Sequence, residues 1–149
     1  MGLQSVQRWA ILHHARLLLG TPYSLRSDDE WMNLVEPPER LSSASFVSRV
    51  AAEALGYRTQ HLPADARWLI DNLAIVTTPE PGDLVGYSRQ AIGNRSDWHV
   101  MLYAGNALVI GACDVAGSVI ERPIDYEAEH GALRWSLAGS RPFRRLELA

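Results

Sequence analysis

Between Ser5 and Leu19 the apolar residues Val6, Trp9, Ala10, Leu12, Leu17 and Leu18 recur near helical spacing, and the run stops at Gly20. This predicts an N-terminal helix with a glycine stop. A clearer stripe runs from Ser43 to Leu55 through Phe46, Val47, Val50, Ala51, Ala54 and Leu55, closed by Gly56. It predicts a second helix, with one face packed on the core. Between the two lies "SLRSDDEWMNLVEPPERL", charged and carrying Pro37–Pro38, which reads mostly as loop. A shorter helix is expected from about Ala64 to Asn72.

After Pro81 the period changes. "GDLVGYS", "WHVMLYAG", "ALVIGAC", "SVIERPI" and "RPFRRLEL" are short apolar runs separated by Gly, Asn and Pro, and they read as antiparallel strands. Gly105–Asn106 sits between two of them and predicts a tight hairpin. Helices first and strands second give an α+β fold, with N-terminal helices packed on an antiparallel β-sheet.

The chain has 149 residues, which fits one domain, 1–149, with a single core. With 47% hydrophobic and 21% charged residues it has an ordinary globular composition. A net charge of -3 without a basic block argues against nucleic acid as the partner. A single cysteine makes no internal disulfide, and His13, His14, His61 and His130 lack metal-ligand spacing, so neither metal nor cofactor is expected. The N-terminal run is broken by Arg8, His13, His14 and Arg16. It matches neither a cleaved secretory signal nor a membrane span. Localisation is left open: the protein stays in the cell, leaves by a route without a cleaved signal, or was cloned without one.

Two features carry candidate chemistry. Ser42, Ser43 and Ser45 crowd the start of the second helix, where free backbone N–H groups and a partial positive charge favour an anionic nucleophile or oxyanion. His99 opens the strand "WHVMLY" and shares a face with Met101 and Tyr103 by alternation. A strand histidine facing that helix end would complete a nucleophile–base pair. Each also has a plainer reading, the serine as a helix cap and the histidine as a half-buried packing residue.

Taken in order, "LLLGTPY", "SSASFV", "PGDLVGY" and "HVMLYAGNALVIGA" resemble successive blocks of the NlpC family of papain-like cell-wall peptidases. That family shows Leu-Gly-Thr-Pro-Tyr, then Asp-Cys-Ser-Gly-Phe-Val, Pro-Gly-Asp-Leu-Val and His-Val-Gly-Ile-Tyr-x-Gly-Asn-Gly. The resemblance runs from about Ala10 to the terminal "RPFRRL". It implies a papain-like, NlpC-type fold and hydrolysis of peptidoglycan stem peptides next to D-glutamate through an acyl-enzyme. The nucleophile position falls on Ser43, fixed by Phe46–Val47, and His99 matches the general base. Tyr23 matches the tyrosine lining the substrate cleft, and Ser42, Trp98 and Trp31 are assigned to the same cleft. Asp83 matches a structural position.

Several departures accompany the resemblance. The family's nucleophile is cysteine, and a serine hydroxyl in a site shaped for sulfur is expected to be inactive or nearly so. Ser43 is either a deliberate Cys→Ser replacement or the mark of a natural relative that lost its chemistry; the otherwise retained helix and His99 block argue for the former. The family's third polar residue, which orients the imidazole, falls on Gly111, leaving Asp114 or a backbone carbonyl as substitutes. Ser42 replaces the usual aspartate and reads as the N-cap. The Tyr23–Ser43 interval is longer than the family's, with Asp28, Asp29, Glu30 and Trp31 either bordering the cleft or lying in a solvated loop. Cys113 reads as an inert core thiol, and Trp68 and Trp135 as core or rim aromatics. Alternative functions are a binding module for wall peptides or a protein partner, or an amidase or acyltransferase of the wider papain-like group. The order of nucleophile position before histidine favours the peptidase branch.

Overall fold

A computed structural model describes residues 3–24, 40–57, 62–90, 96–125 and 135–148. Among these residues three helices precede the sheet: α1 (Ser5–Leu17), α2 (Ser43–Leu55) and α3 (Ala66–Asn72). The strands follow as β1 (Leu73–Ile75), β2 (Leu84–Gln90), β3 (Ser96–Gly105), β4 (Leu108–Cys113), β5 (Ser118–Pro123), β6 (Ser136–Leu137) and β7 (Phe143–Leu148). They form one antiparallel sheet in the order β1-β7-β2-β3-β4-β5, with β6 paired to β2 off that path. The α+β arrangement expected from the sequence is the one observed. No helix among the described residues is long and apolar enough to cross a membrane.

The expected second helix matches α2 at both ends, and Gly56 closes it in the left-handed region at φ 72. It is buried on more than one stripe, because every residue from Ser43 to Ala51 is buried. Its most deeply placed polar groups have partners: Ser48 donates to the Leu62 carbonyl at 3.0 Å, and Arg49 Nε donates to Glu53 at 2.7 Å. The helix is thus central to the domain and only partly amphipathic. Helix α3 starts two residues later than expected, where the Asp65 carboxylate accepts from the Trp68 N–H and caps it.

The sheet has two apolar faces, read by alternation along each strand. Val100 and Leu102 of β3, Ile110 and Ala112 of β4 and Leu146 of β7 join Ile11, Phe46, Val47 and Val50 in the helix-side core. Val85, Tyr87, Met101, Val109, Cys113 and Trp135 form a second cluster on the other face. Cys113 is fully buried there. The β3–β4 hairpin differs in one detail from expectation, since its two central residues are Asn106 (φ 53) and Ala107 (φ 60), not Gly105–Asn106. Two successive positive φ values match the right-handed strand twist. Holding alanine there costs about 1 kcal/mol.

The "PGD" turn is structural, as the sequence indicates. Asp83 is fully buried and accepts from Arg8, from Arg145 Nε at 3.0 Å and Nη2 at 2.9 Å, and from the Glu80 N–H at 2.8 Å. This ties α1 and β7 to the start of β2. A carboxylate so buried is tolerable only because each oxygen is matched by a donor.

Candidate active site

The first wall of the site is the amino end of α2. Ser42 is its N-cap: the hydroxyl accepts from the Ser45 N–H at 3.1 Å, and Ser45 Oγ accepts from the Ser42 N–H at 2.8 Å. This is a capping box with serine in both places. The crowded serines therefore divide by role. Ser42 and Ser45 satisfy the helix end, while the Ser43 hydroxyl takes part in none of these bonds and opens on a cleft.

Tyr23 reaches the same place because the segment before it is stitched to the sheet. Gly20 donates to the Val119 carbonyl, Val119 donates back to Thr21, and Tyr23 donates to Gly117 at 2.9 Å. Leu41 bridges Tyr23 and directly precedes the N-cap of α2, so Tyr23 is held beside the start of that helix.

The second wall comes from the sheet. His99 is paired in register with Tyr87, and its ring lies 5.5 Å from that of Tyr87 and 5.0 Å from that of Trp135. The contact with Trp135 is stacked, with 24° between the planes. The imidazole is buried, and its Nε2 has no hydrogen-bond partner among the described residues. Burial pushes the His99 pKa down to about 4, with the Asp114 carboxylate opposing and the Arg89 guanidinium reinforcing the shift. At neutral pH the ring is therefore uncharged and able to accept a proton, though as a weak base.

The two walls enclose a cleft of about 570 Å³. Tyr23, Ser42, Ser43, Trp98, His99 and Asp114, all named from the sequence, line it together. Trp31 lies outside the described residues. Gly111 does not line the cleft. A side chain there would meet Met101, whose Cγ lies 2.9 Å from an added Cβ, so this position is closed to an orienting polar group. Asp114 is present, but its carboxylate accepts from Arg89 Nη2 at 2.7 Å and from Trp135 Nε1 at 3.1 Å.

The sequence reading missed several lining residues. Trp135 is a ring partner of the histidine, more than a rim aromatic. Arg89 lies over Trp135 at 4.1 Å and also pairs with Asp97, while Arg67 lies over Trp98 at 4.4 Å. None of these belongs to a motif block, and only the register of β2 against β3, placing Arg89 opposite Asp97, offered a hint. Among the described residues no three His, Cys, Asp or Glu side chains gather as a metal-binding group.

The architecture has solved counterparts. An NlpC/P60 family protein from Bacillus cereus superposes with a TM-score of 0.67 over 93% of this chain and 40% of its own, at 18% identity. The fold is of the NlpC/P60 type. The peptidoglycan hydrolase RipB from Mycobacterium tuberculosis gives a TM-score of 0.61 at 20% identity, covering 94% of this chain and 64% of that one. The NlpC/P60 domain of the peptidoglycan hydrolase SagA gives 0.51 at 18% identity, covering 88% and 97%. The chain thus spans less than half of the Bacillus protein and nearly all of the SagA domain. No protein-family model and no curated protein matches the sequence.

Proposed function

We propose that the cleft is the peptide site of a cell-wall hydrolase scaffold, with Ser43 at the nucleophile's place and His99 as the base. The observation that carries this reading is the convergence of Ser43, from the amino end of a buried helix, and His99, from the sheet, on one cleft that also holds Tyr23. Its volume is within the range that encloses a short peptide. The peptidoglycan hydrolases among the structural neighbours support peptidoglycan stem peptide as the substrate class. No cofactor is needed for this chemistry.

The mechanism follows from the two walls. A thiol at position 43 would sit at the amino end of α2, where the N–H groups of Ser43 and Ala44, which the capping box does not engage, and the positive end of the helix stabilise a thiolate. The neutral imidazole of His99 takes the thiol proton, and sulfur attacks the peptide carbonyl. The same N–H groups hold the oxyanion, and His99 returns the proton to the leaving amine. Water then releases the acyl group. Serine breaks this sequence at its first step. A hydroxyl is far less acidic than a thiol, and an imidazole with a pKa of about 4 is a poor base for it. The chain as written therefore binds stem peptide and turns it over slowly or not at all.

The test is the Ser43→Cys variant on purified muropeptides, with products read by mass spectrometry. Cleavage next to D-glutamate should rise by about a thousandfold or more over the serine protein. A folded Ser43→Cys variant that cleaves nothing would remove the hydrolase reading. The closed Gly111 position favours a second one, in which the cleft retains wall peptide without turnover. It predicts affinity for muropeptide in both forms and hydrolysis in neither.

A further inference from the structure

With the third orienting position closed, something else must fix the His99 ring. The Gly111 site is filled by Met101, and both carboxylate oxygens of Asp114 are engaged with Arg89 and Trp135. What does touch the imidazole is a pair of aromatic plates. Tyr87 lies on one contact and Trp135 on the other, at 5.5 and 5.0 Å between centroids.

Each plate is tethered at its polar end. The Tyr87 hydroxyl donates to the Ile124 carbonyl at 2.7 Å, and the Trp135 indole N–H donates to Asp114 Oδ1 at 3.1 Å. The Arg89 guanidinium lies over the indole at 4.1 Å and is held by the other Asp114 oxygen at 2.7 Å. Trp135 is 5% exposed, so the indole is largely desolvated, while Arg89 and Asp114 stay 20% and 24% exposed at the outer side of the stack. Cation–π and ring-stacking contacts of this kind gain strength when desolvated.

We propose that Trp135, anchored by Asp114 and weighted by Arg89, is the positioning residue for His99, orienting the imidazole by stacking where the family uses a polar side chain. Asp114 thus acts on the base through the indole and makes no hydrogen bond to it in this role. The inference rests on His99 being the base, but its primary test does not depend on activity.

That test is the imidazole pKa and ring line width of His99, followed by NMR in the serine protein. Two charges act on this ring, Asp114 raising its pKa and Arg89 lowering it, and Asp65, Arg67 and Asp97 line the same cleft. If Asp114 acts only as a charge, Asp114→Ala lowers the His99 pKa. If it anchors the indole, Asp114→Ala frees Trp135, admits water and raises the pKa by about one unit or more. Asp114→Asn keeps an acceptor for the indole and should leave the ring ordered, with a lower pKa. Trp135→Phe keeps a ring but loses the tether, and should raise the pKa less than Trp135→Ala while keeping the fold. A fall in Asp114→Ala, or an unchanged His99 in folded Trp135→Phe, would overturn the proposal.

In the Ser43→Cys background, Asp114→Ala should lower kcat about tenfold with little change in KM, and Asp114→Asn should recover most of it. If Ser43→Cys proves inactive, the functional reading fails while the NMR outcome still decides the positioning role.

Discussion

The two walls of the cleft differ in how they are made. The α2 wall is local: a cap, a capping-box partner and the proposed nucleophile position lie within four consecutive residues, Ser42 to Ser45. The sheet wall is assembled from Tyr87, Arg89, His99, Asp114 and Trp135, which meet only in the folded chain. On the proposed reading, the reactive position of the helix wall carries oxygen where the resembled family carries sulfur. On the same reading the sheet wall departs further, with Met101 closing one place and a tethered indole occupying another. A single lost atom is restorable by a single substitution. A rebuilt wall has to be judged by what it now does.

Ser43→Cys is the largest lever on this contrast. A rise of about a thousandfold would show that the rebuilt wall still supports catalysis. Ser43→Ala should match the serine protein in residual activity, since the proposed mechanism gives the hydroxyl no productive step.

Acid titration probes the sheet wall next. The His99 pKa is depressed from 6.5 to about 4 by burial, so the unfolded chain binds its proton first as pH falls. Stability is therefore fully present above pH 6.5 and declines through the window down to about pH 4, by about 3 kcal/mol. Urea unfolding across that range should show this loss in the parent and not in His99→Gln. Equal slopes would mean that the ring is hydrated.

Gly111→Ala tests whether Met101 closes the orienting position. The added Cβ would sit 2.9 Å from Met101 Cγ, and overpacking should destabilise by about 1–3 kcal/mol. Pairing it with Met101→Val should recover part of that, and strict additivity would deny the contact. The smallest effect belongs to the helix wall. Ser42→Ala removes the cap and should lower stability by about 1 kcal/mol, read as a shift in the urea midpoint with an unchanged slope.

The same contrast explains what was legible in the sequence. Helix α2 was readable to the residue because its stripe, cap and closing glycine are neighbours in the chain. The long strands were readable from alternation, whereas β1 and β6, at three and two residues, are too short to show a period. The hairpin centre was misplaced by one residue because Ala107 tolerates a positive φ that the sequence gives no reason to assign. Ser43, His99 and Tyr23 were found through their motif blocks. Trp135 and Arg89 were not, because a stacking partner carries no spacing signature and is chosen by sheet register and by a distant carboxylate. The closing of Gly111 was equally hidden, since it depends on which Met101 rotamer fills the neighbouring strand.

The sheet order has a consequence for how the chain becomes a protein. Strand β7, the last of the domain's strands in chain order, belongs between β1 and β2, and Arg145 on it neutralises a carboxylate placed 62 residues earlier. Until it arrives, two raw strand edges and a half-matched acid stand open, so a nascent chain has every element except the one that seals them. Assembly should accordingly be abrupt and late, and a stalled or clipped product lacking those few residues would be prone to self-association.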